Sequence, residues 1–398
     1  MQQEPLARRR PAVAIAHDYL AIMGGAERVV ANMLDAFPNA PLYTSIYAPE
    51  HLYDNFAEGR DRHTTWLSRI GFFRDHYRLS MPFLAATMRR FVVDADVVLC
   101  SSSGWSHGVR TTGRKVVYCH NPARWLYQTD EYTSGRKKVL AVGANIMKPY
   151  LQRFDRKSAD SCVRYLANSR VVAERIKATY DIDAEVLPPP SSLVPGGEQT
   201  SIASIAPGFL LCVARLLPYK NVDAIISAMK LLPDHRLVVV GIGPMHEQLQ
   251  AQAGPNVRLF GRATDGELRW LYATCAMLIA ASHEDFGLTP VEAGMFGKPT
   301  ACLRYGGYLD TMVEGETGLF FDDLTASTIS NVVRRVLAIE WDAARIDRHA
   351  QRFSEVGFHS RLREIIAEEL VRASGREPSR GVLVLDEEPA EVASESER

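Results

Sequence analysis

The chain has 398 residues, 46% of them hydrophobic and 23% charged, with a formal net charge of -1. That length exceeds one ordinary hydrophobic core and implies two domains of roughly 150–200 residues. The composition excludes a disordered, collagenous or disulfide-scaffold chain, and the charge balance excludes a polycation that holds nucleic acid by charge alone. The balance is the sum of two unequal halves. Residues 1–190 carry 26 Lys+Arg against 19 Asp+Glu, and residues 191–398 carry 20 against 28. Opposite signs in the two halves imply a different partner for each.

In chain order, Arg8, Arg9 and Arg10 precede an apolar stretch that is short and interrupted by Asp18. A first strand at VAIAH (13–17) is therefore a better reading than a twin-arginine signal. GAERVVANMLDAF (25–37) places Val29, Met33 and Phe37 on one helical face. PLYTSI (41–46) is the next strand. The segment 60–90 holds seven Arg and two Asp, with Trp66, Phe72, Phe73, Tyr77 and Phe83 interleaved. It reads as a basic, aromatic helix, either lying on an anionic bilayer or packed as an ordinary domain helix with a solvated Arg face. Strands follow at DVVLCSS (96–102), KVVYCH (115–120), RYLANS (164–169) and AEVLPP (184–189).

PPPSSLVPGGEQTSIASIAPG (188–208) is rich in Pro, Ser and Gly and lacks apolar periodicity, which places a linker at 191–207. It separates an N-terminal domain at 1–190 from a C-terminal domain at 208–358. The second half repeats the alternation, with strands at FLLCVA (209–214), RLVVVGIG (236–243), NVRLFG (256–261), AMLIAAS (276–282), KPTACL (298–303) and GLFF (318–321). Amphipathic helices lie at NVDAIISAMKLL (221–232) and DGELRWLYAT (265–274). A helix at 359–374 has a return onto the N-terminal domain as its candidate packing. Residues 375–398 form an acidic tail expected to be disordered, with VLVL (382–385) as its one apolar stretch.

Apolar runs without alternation mark strands covered on both faces, and strand alternating with helix implies parallel sheets. The fold class is thus α/β, with two Rossmann-like doubly wound domains facing across a cleft at the carboxyl ends of their strands. Six scattered cysteines form no CxxC pair and read as buried thiols. No apolar run approaches the roughly 18–20 residues that cross a bilayer.

Candidate site residues stand at those strand ends. Arg215 and Lys220 lie on the loop after FLLCVA, where a planar fork and a point charge suit a diphosphate; two solvated surface cations fit this pair equally well. Gly241 and Gly243 in GIGP allow close backbone approach, although an ordinary turn explains them better. Ser282 to Ala293 follows AMLIAAS. Pro290 marks a helix start there, so the amides of Phe286, Gly287, Leu288 and Thr289 suit a phosphate or a sugar hydroxyl. Glu284 before the helix and Glu292 within it can each accept from a hydroxylated ring. Asp94-Ala95-Asp96 and Asp181-Ile182-Asp183 read as strand-entry turns, and no metal site is expected.

VARLLPYKNVDAII, GIGP, EDFGLTPVEAGMFGKP and RYGGYLDTMVEGETGLFF occur in this order over residues 209–322. In them the second half resembles the retaining GT-B fold glycosyltransferases of family 4. HDYLAIMGGAERVV (17–30) and VVYCHNPARWLYQ (117–129) resemble the same family more loosely. The resemblance implies that Arg215 and Lys220 hold a donor diphosphate, Glu284 contacts the transferred sugar and Glu292 the ribose. Gly24 and Gly25 then approach the phosphates or the acceptor, and His120 lies near the transferring sugar. A lone histidine is otherwise more often structural. HNPARWLY looks like a branch that often uses GDP-mannose, with Arg124 facing the cleft or a structural salt bridge.

The expected function is retaining transfer of a hexose, with mannose from GDP-mannose preferred, to a glycan or lipid-linked acceptor in cell-surface polysaccharide or glycolipid synthesis. The nucleotide-sugar is a co-substrate, and neither a cofactor nor nucleic acid is expected. The location is cytoplasmic or peripheral on the inner face of the cell membrane. A UDP-sugar transferase of the family, an epimerase or phosphorylase of the same fold, and a non-catalytic sugar-nucleotide-binding module are the alternatives.

Overall fold

A computed structural model describes residues 12–52, 56–127, 138–191 and 193–374. The three arginines at the start and the acidic tail with its VLVL stretch lie outside the described residues. The strands are β1 (Val13–His17), β2 (Leu42–Thr44), β3 (Arg62–Thr64), β4 (Val97–Ser102), β5 (Arg114–Cys119), β6 (Arg164–Ala167) and β7 (Glu185–Val186) in the first half. The second half holds β8 (Leu210–Val213), β9 (Leu237–Val240), β10 (Val257–Gly261), β11 (Met277–Ala280), β12 (Thr300–Leu303) and β13 (Gly318–Phe321).

They form two sheets, ordered β3-β2-β1-β4-β5-β6-β7 and β10-β9-β8-β11-β12-β13. Every pairing between neighbouring strands is parallel. In both, chain order reverses beside the first strand, between β1 and β4 and between β8 and β11. The crevice outside the carboxyl ends at such a reversal is where ligands bind in doubly wound sheets. The central strands are buried along their whole length, as β1, β4, β9 and β11 illustrate. This is why they appear in the sequence as continuous apolar runs.

Two elements differ from the sequence reading. Segment 60–90 is not one helix. It holds β3, 3-10 turns at Trp66–Arg69 and Tyr77–Ser80, and short helices at Gly71–Asp75 and Met81–Met88. Gly71 and Pro82 punctuate it where a continuous helix would need good helix formers. β3, RHT, is a short and largely exposed edge strand paired only with β2, so no apolar run announces it.

The Pro/Ser/Gly-rich connection is not a free tether: Leu193, Ile202 and Ile205 are buried in the core of the second domain. Beside it, the Ser191 amide donates to the Phe353 carbonyl at 2.9 Å, so the two chain crossings between the domains run side by side. The last helix, Glu355–Ala373, starts earlier than its apolar pattern because Ser354 caps it. It returns to the first domain, where Phe358, Leu362, Ile365 and Ile366 join Val29, Val30, Leu99 and Val116 in one core. Arg114 and Arg164 fasten it by ion pairs of 2.6 Å to Glu369 and Glu368. The six cysteines are free, and all but Cys162 are buried. Among the described residues no helix is long and apolar enough to cross a membrane.

Leu362 is fully buried in the first domain's core although it belongs to the end of the chain. Leu362→Ala is expected to lower stability by about 2–5 kcal/mol. Urea unfolding of the whole chain measures it, and a loss under roughly 1 kcal/mol, as for a surface site, would contradict this packing.

Candidate active site

At the reversal point of the first sheet, β1 ends in His17 and is followed by Asp18, while β4 ends in Ser101 and Ser102. The buried Asp18 carboxylate accepts from three amides of the following turn: Ser103 at 2.6 Å, Trp105 at 2.9 Å and Ser106 at 2.6 Å. Three such donors hold a carboxylate and fix the turn against it. His17 Nδ1 lies 3.0 Å from Ser101 Oγ, and Ser101 Oγ lies 2.8 Å from Nε2 of His120, which follows β5. Gly24 and Gly25 open the helix Gly25–Ala36, and its first-turn Glu27 is buried with Oε1 3.9 Å from His17 Nε2. Burial opposes charge on His17, but Glu27 and Asp18 more than offset it and raise its pKa above 6.5. Burial and the neighbouring His17 push His120 down to about 3.

At the reversal point of the second sheet, Lys220 and Glu284 form an ion pair, with the Lys220 side chain almost wholly buried. Arg215 is exposed and its Nη2 donates to Tyr219 Oη at 3.2 Å. Gly241 and Gly243 pack against the backbone of Ala214 and Leu216, so neither position has room for a Cβ. They hold the Arg215 loop by close packing. The Glu284 loop is braced in the same way. Gly306 and Gly307 press on the backbone of Glu284 and Phe286, and the Gly307 amide donates to the Glu284 carbonyl at 3.0 Å.

Gly287 is the N-cap of the helix Leu288–Met295, which Leu288 and Thr289 begin. The Phe286 side chain is buried with Val291, Met295 and Phe353, which leaves its backbone as the part that can meet a ligand. Glu292 is 8% exposed and accepts from Tyr272 Oη at 2.6 Å. Burial raises its pKa, while Tyr272 and the positive Arg28 across the cleft pull the other way.

One carboxylate ties the two sites together. Asp285, next to Glu284, accepts from Asn121 Nδ2 at 2.8 Å, from Arg175 Nη1 at 2.6 Å and from Arg124 Nη2. All three donors belong to the first domain. Beside them Arg170 donates from its amide to Asp310 at 2.8 Å and pairs with the same carboxylate through its side chain. The structure therefore brings His120, Lys220 and Glu284 to one cleft, with Gly24 and Gly25 on its first-domain side. Arg215 stands on its own loop beside Tyr219, and Glu292 lies deeper beside Tyr272.

The sequence reading omitted Asp285, Arg175, Tyr272, Ser101, His17 and Glu27 as site residues. His17 stands at a buried strand end followed by polar residues, the signal used for His120. Arg175 and Tyr272 sit in amphipathic helices and carry no local signal. Of the DxD sequences, Asp181 and Asp183 both pair with Lys177, at 3.0 and 3.1 Å. Among the described residues no three His, Cys, Asp or Glu side chains stand together as a metal site.

Two doubly wound domains with ligand-binding crevices turned to a shared cleft define a GT-B protein. Residues 23–191 match Glycosyltransferase Family 4, and residues 204–353 match Glycosyl transferases group 1. The chain belongs to this family. It is 29% identical over 230 residues to the D-rhamnosyltransferase WbpZ of Pseudomonas aeruginosa, covering 54% of this chain and 58% of that protein.

It is also 29% identical over 146 residues to the GDP-mannose-dependent alpha-(1-6)-phosphatidylinositol monomannoside mannosyltransferase of Mycolicibacterium smegmatis, covering 32% of this chain and 38% of that protein. The chain thus spans little more than half the length of the first relative and under half of the second. The Alpha-1,3/1,6-mannosyltransferase ALG2 of Dictyostelium discoideum is 22% identical over 387 residues, 82% of this chain and 89% of that one. Among solved structures, HepE of Anabaena in complex with UDP and glucose superposes with a TM-score of 0.64 at 16% identity, over 90% of this chain and 100% of that one. At that identity the likeness is one of fold.

Asp285→Ala leaves Asn121, Arg124 and Arg175 without their shared acceptor. The cost is expected to be about 1.5–3 kcal/mol of interdomain attraction, the scale of a hydrogen bond to a charged group. Small-angle scattering should show a larger radius of gyration for the variant, with unchanged helix content by circular dichroism. Identical scattering curves would mean that the carboxylate does not hold the domains together.

Proposed function

We propose that this chain is a retaining glycosyltransferase that transfers a hexose, mannose from GDP-mannose, to a glycan or lipid-linked acceptor of the cell surface. The observation that carries the reading is the convergence of Lys220, Glu284 and His120 on one cleft, in a chain of this family. Lys220 and Arg215 stabilise the departing diphosphate, and the amides at the start of the helix Leu288–Met295 add their dipole. Glu284 holds hydroxyls of the sugar. Glu292, one oxygen already engaged by Tyr272, takes the ribose through the other.

The bond between the anomeric carbon and phosphate oxygen breaks while the acceptor oxygen bonds to that carbon on the same face. The acceptor proton passes to the departing phosphate, so no protein nucleophile, metal or cofactor is required. The mannosyl donor is supported by HNPARWLY and by the activities for which the two mannosyltransferase relatives are named.

The acceptor reading rests on the surface of the first domain. Trp66, Phe72, Leu79 and Phe83 are 43%, 55%, 48% and 47% exposed, and Arg69 is exposed among them. Trp66 and Phe83 touch edge to face at 6.3 Å. An apolar patch with cationic neighbours suits a lipid or an anionic membrane surface. Tyr77 packs tilted against Tyr19, ring centroids 4.7 Å apart, and Tyr19 follows His17 and Asp18, so the patch adjoins the cleft.

Calorimetry with GDP, UDP and ADP tests the donor side. GDP is expected to bind best, and a preference for UDP would move the reading to a UDP-sugar transferase. Glu292→Ala should weaken the nucleotide roughly 10- to 100-fold, the cost of a lost charged hydrogen bond, and Lys220→Ala should abolish turnover. Unchanged donor hydrolysis in both variants would refute the site.

Sedimentation with anionic liposomes tests the acceptor side. Binding should fall with salt and with Trp66→Ala/Phe72→Ala. No binding at low salt sinks the membrane assignment.

A further inference from the structure

The buried polar chain behind His120 has no part in the scheme above, and its donors and acceptors follow from geometry. His17 Nδ1 lies 3.1 Å from the Ser101 carbonyl oxygen as well as 3.0 Å from Ser101 Oγ. A carbonyl oxygen only accepts, so Nδ1 of His17 carries a proton and shares it with Ser101 Oγ. Ser101 Oγ, accepting from His17, directs its own proton along the 2.8 Å contact to His120 Nε2. His120 Nε2 is therefore an acceptor, and a neutral imidazole that accepts at Nε2 holds its proton at Nδ1.

The surroundings reinforce this order. Ser101 is fully buried, and its carbonyl also accepts from Ser106 Oγ at 2.8 Å. Glu27, 4% exposed, faces the far edge of the His17 ring at 3.9 Å. The titratable groups around His17 are Glu27, Asp18 and His120, so any positive charge in the chain settles on His17 beside two carboxylates. A second positive charge on His120 would face that one across a single hydroxyl. The low value of His120 agrees with this. The His120 backbone is held as well: its carbonyl accepts from Asn168 Nδ2 at 3.0 Å and its amide donates to the Ser102 carbonyl at 2.9 Å.

We propose that Glu27, His17 and Ser101 are positioning residues that lock His120 in its Nδ1–H tautomer, so that it offers the transferred sugar a neutral N–H donor and never serves as a base. The contact with the sugar rests on the function proposed above; the tautomer does not. The assignment fits a transfer in which the departing phosphate, and no side chain, takes the acceptor proton.

The test is long-range proton–nitrogen correlation on the full chain labelled with 15N-histidine, with His120→Gln assigning the His120 signals. The expected spectrum has a protonated Nδ1 and a bare Nε2 on His120, unchanged from about pH 8 to about pH 5 because the group titrates well below that window. A protonated Nε2, or titration of His120 inside the window, overturns the proposal.

Ser101→Ala should mix the tautomers and lower kcat roughly 5- to 10-fold, the scale of one hydrogen bond, at unchanged donor KM. Ser101→Thr should restore both. Ser101→Ala with the wild-type tautomer and pH behaviour also overturns the proposal. If the tautomer is as expected but His120→Gln turns over normally, the sugar contact falls and the locked tautomer stands.

Discussion

The Asp285 carboxylate is the contact on which the working geometry depends. It belongs to the loop after β11 in the second domain, yet its three donors, Asn121, Arg124 and Arg175, all come from the first. Two of them, Asn121 and Arg124, lie within four residues of His120 in the chain. Fixing Asp285 therefore fixes the spacing between His120 on one wall and Glu284 on the other. Lys220 and Glu284 neutralise each other next to Asp285. In the function proposed above, a diphosphate that draws Lys220 away would free Glu284 for the sugar, so this one ion pair would link recognition of the two ends of the donor.

The two domains solve the same topological problem with different chemistry. Each reverses strand order beside its first strand, and each places its ligand-facing groups there. In the second domain the crevice holds a lysine–glutamate pair with one partner near solvent. In the first it holds a buried hydrogen-bonded chain from His17 through Ser101 to His120, with the Glu27 carboxylate facing His17. The difference suits the roles proposed for the two walls. A phosphate needs mobile positive charge, whereas orienting a neutral donor needs groups that cannot reorient. Low dielectric strengthens a satisfied chain of this kind.

Most of the fold was legible because burial on both sheet faces writes itself into the sequence as apolar runs. β3 was not, since its three residues face solvent at an edge. Segment 60–90 reads as one helix because its composition suits an amphipathic surface, but Gly71 weakens continuity and Pro82 breaks it. Lys220, Glu284 and Glu292 could be named from motif order. Their partners could not: Tyr272 and Asp285 matter only through contacts made after folding, 20 residues away for Tyr272–Glu292 and 110 or more for Asp285. Local patterns carry no record of such pairs. Ser101 is an intermediate case. It ends an apolar strand like many serines, and only the two flanking histidines give its hydroxyl a direction.

The opposite charges of the two halves find a physical use within the molecule itself. Arginines of the first half meet acids of the second at several points: Arg124 and Arg175 at Asp285, Arg170 at Asp310, Arg114 at Glu369 and Arg164 at Glu368. Arg361 with Glu185 is a pair of the reverse sense. Singly, such partly exposed pairs are weak. Rotating one domain against the other would separate the pairs at Asp285 and Asp310, whereas those at Glu368 and Glu369 hold the returning last helix to the first domain. Complementary fields of this kind select orientation more than they add affinity. Part of the charge asymmetry between the halves is therefore matched within the molecule, where the two domains and the returning last helix meet.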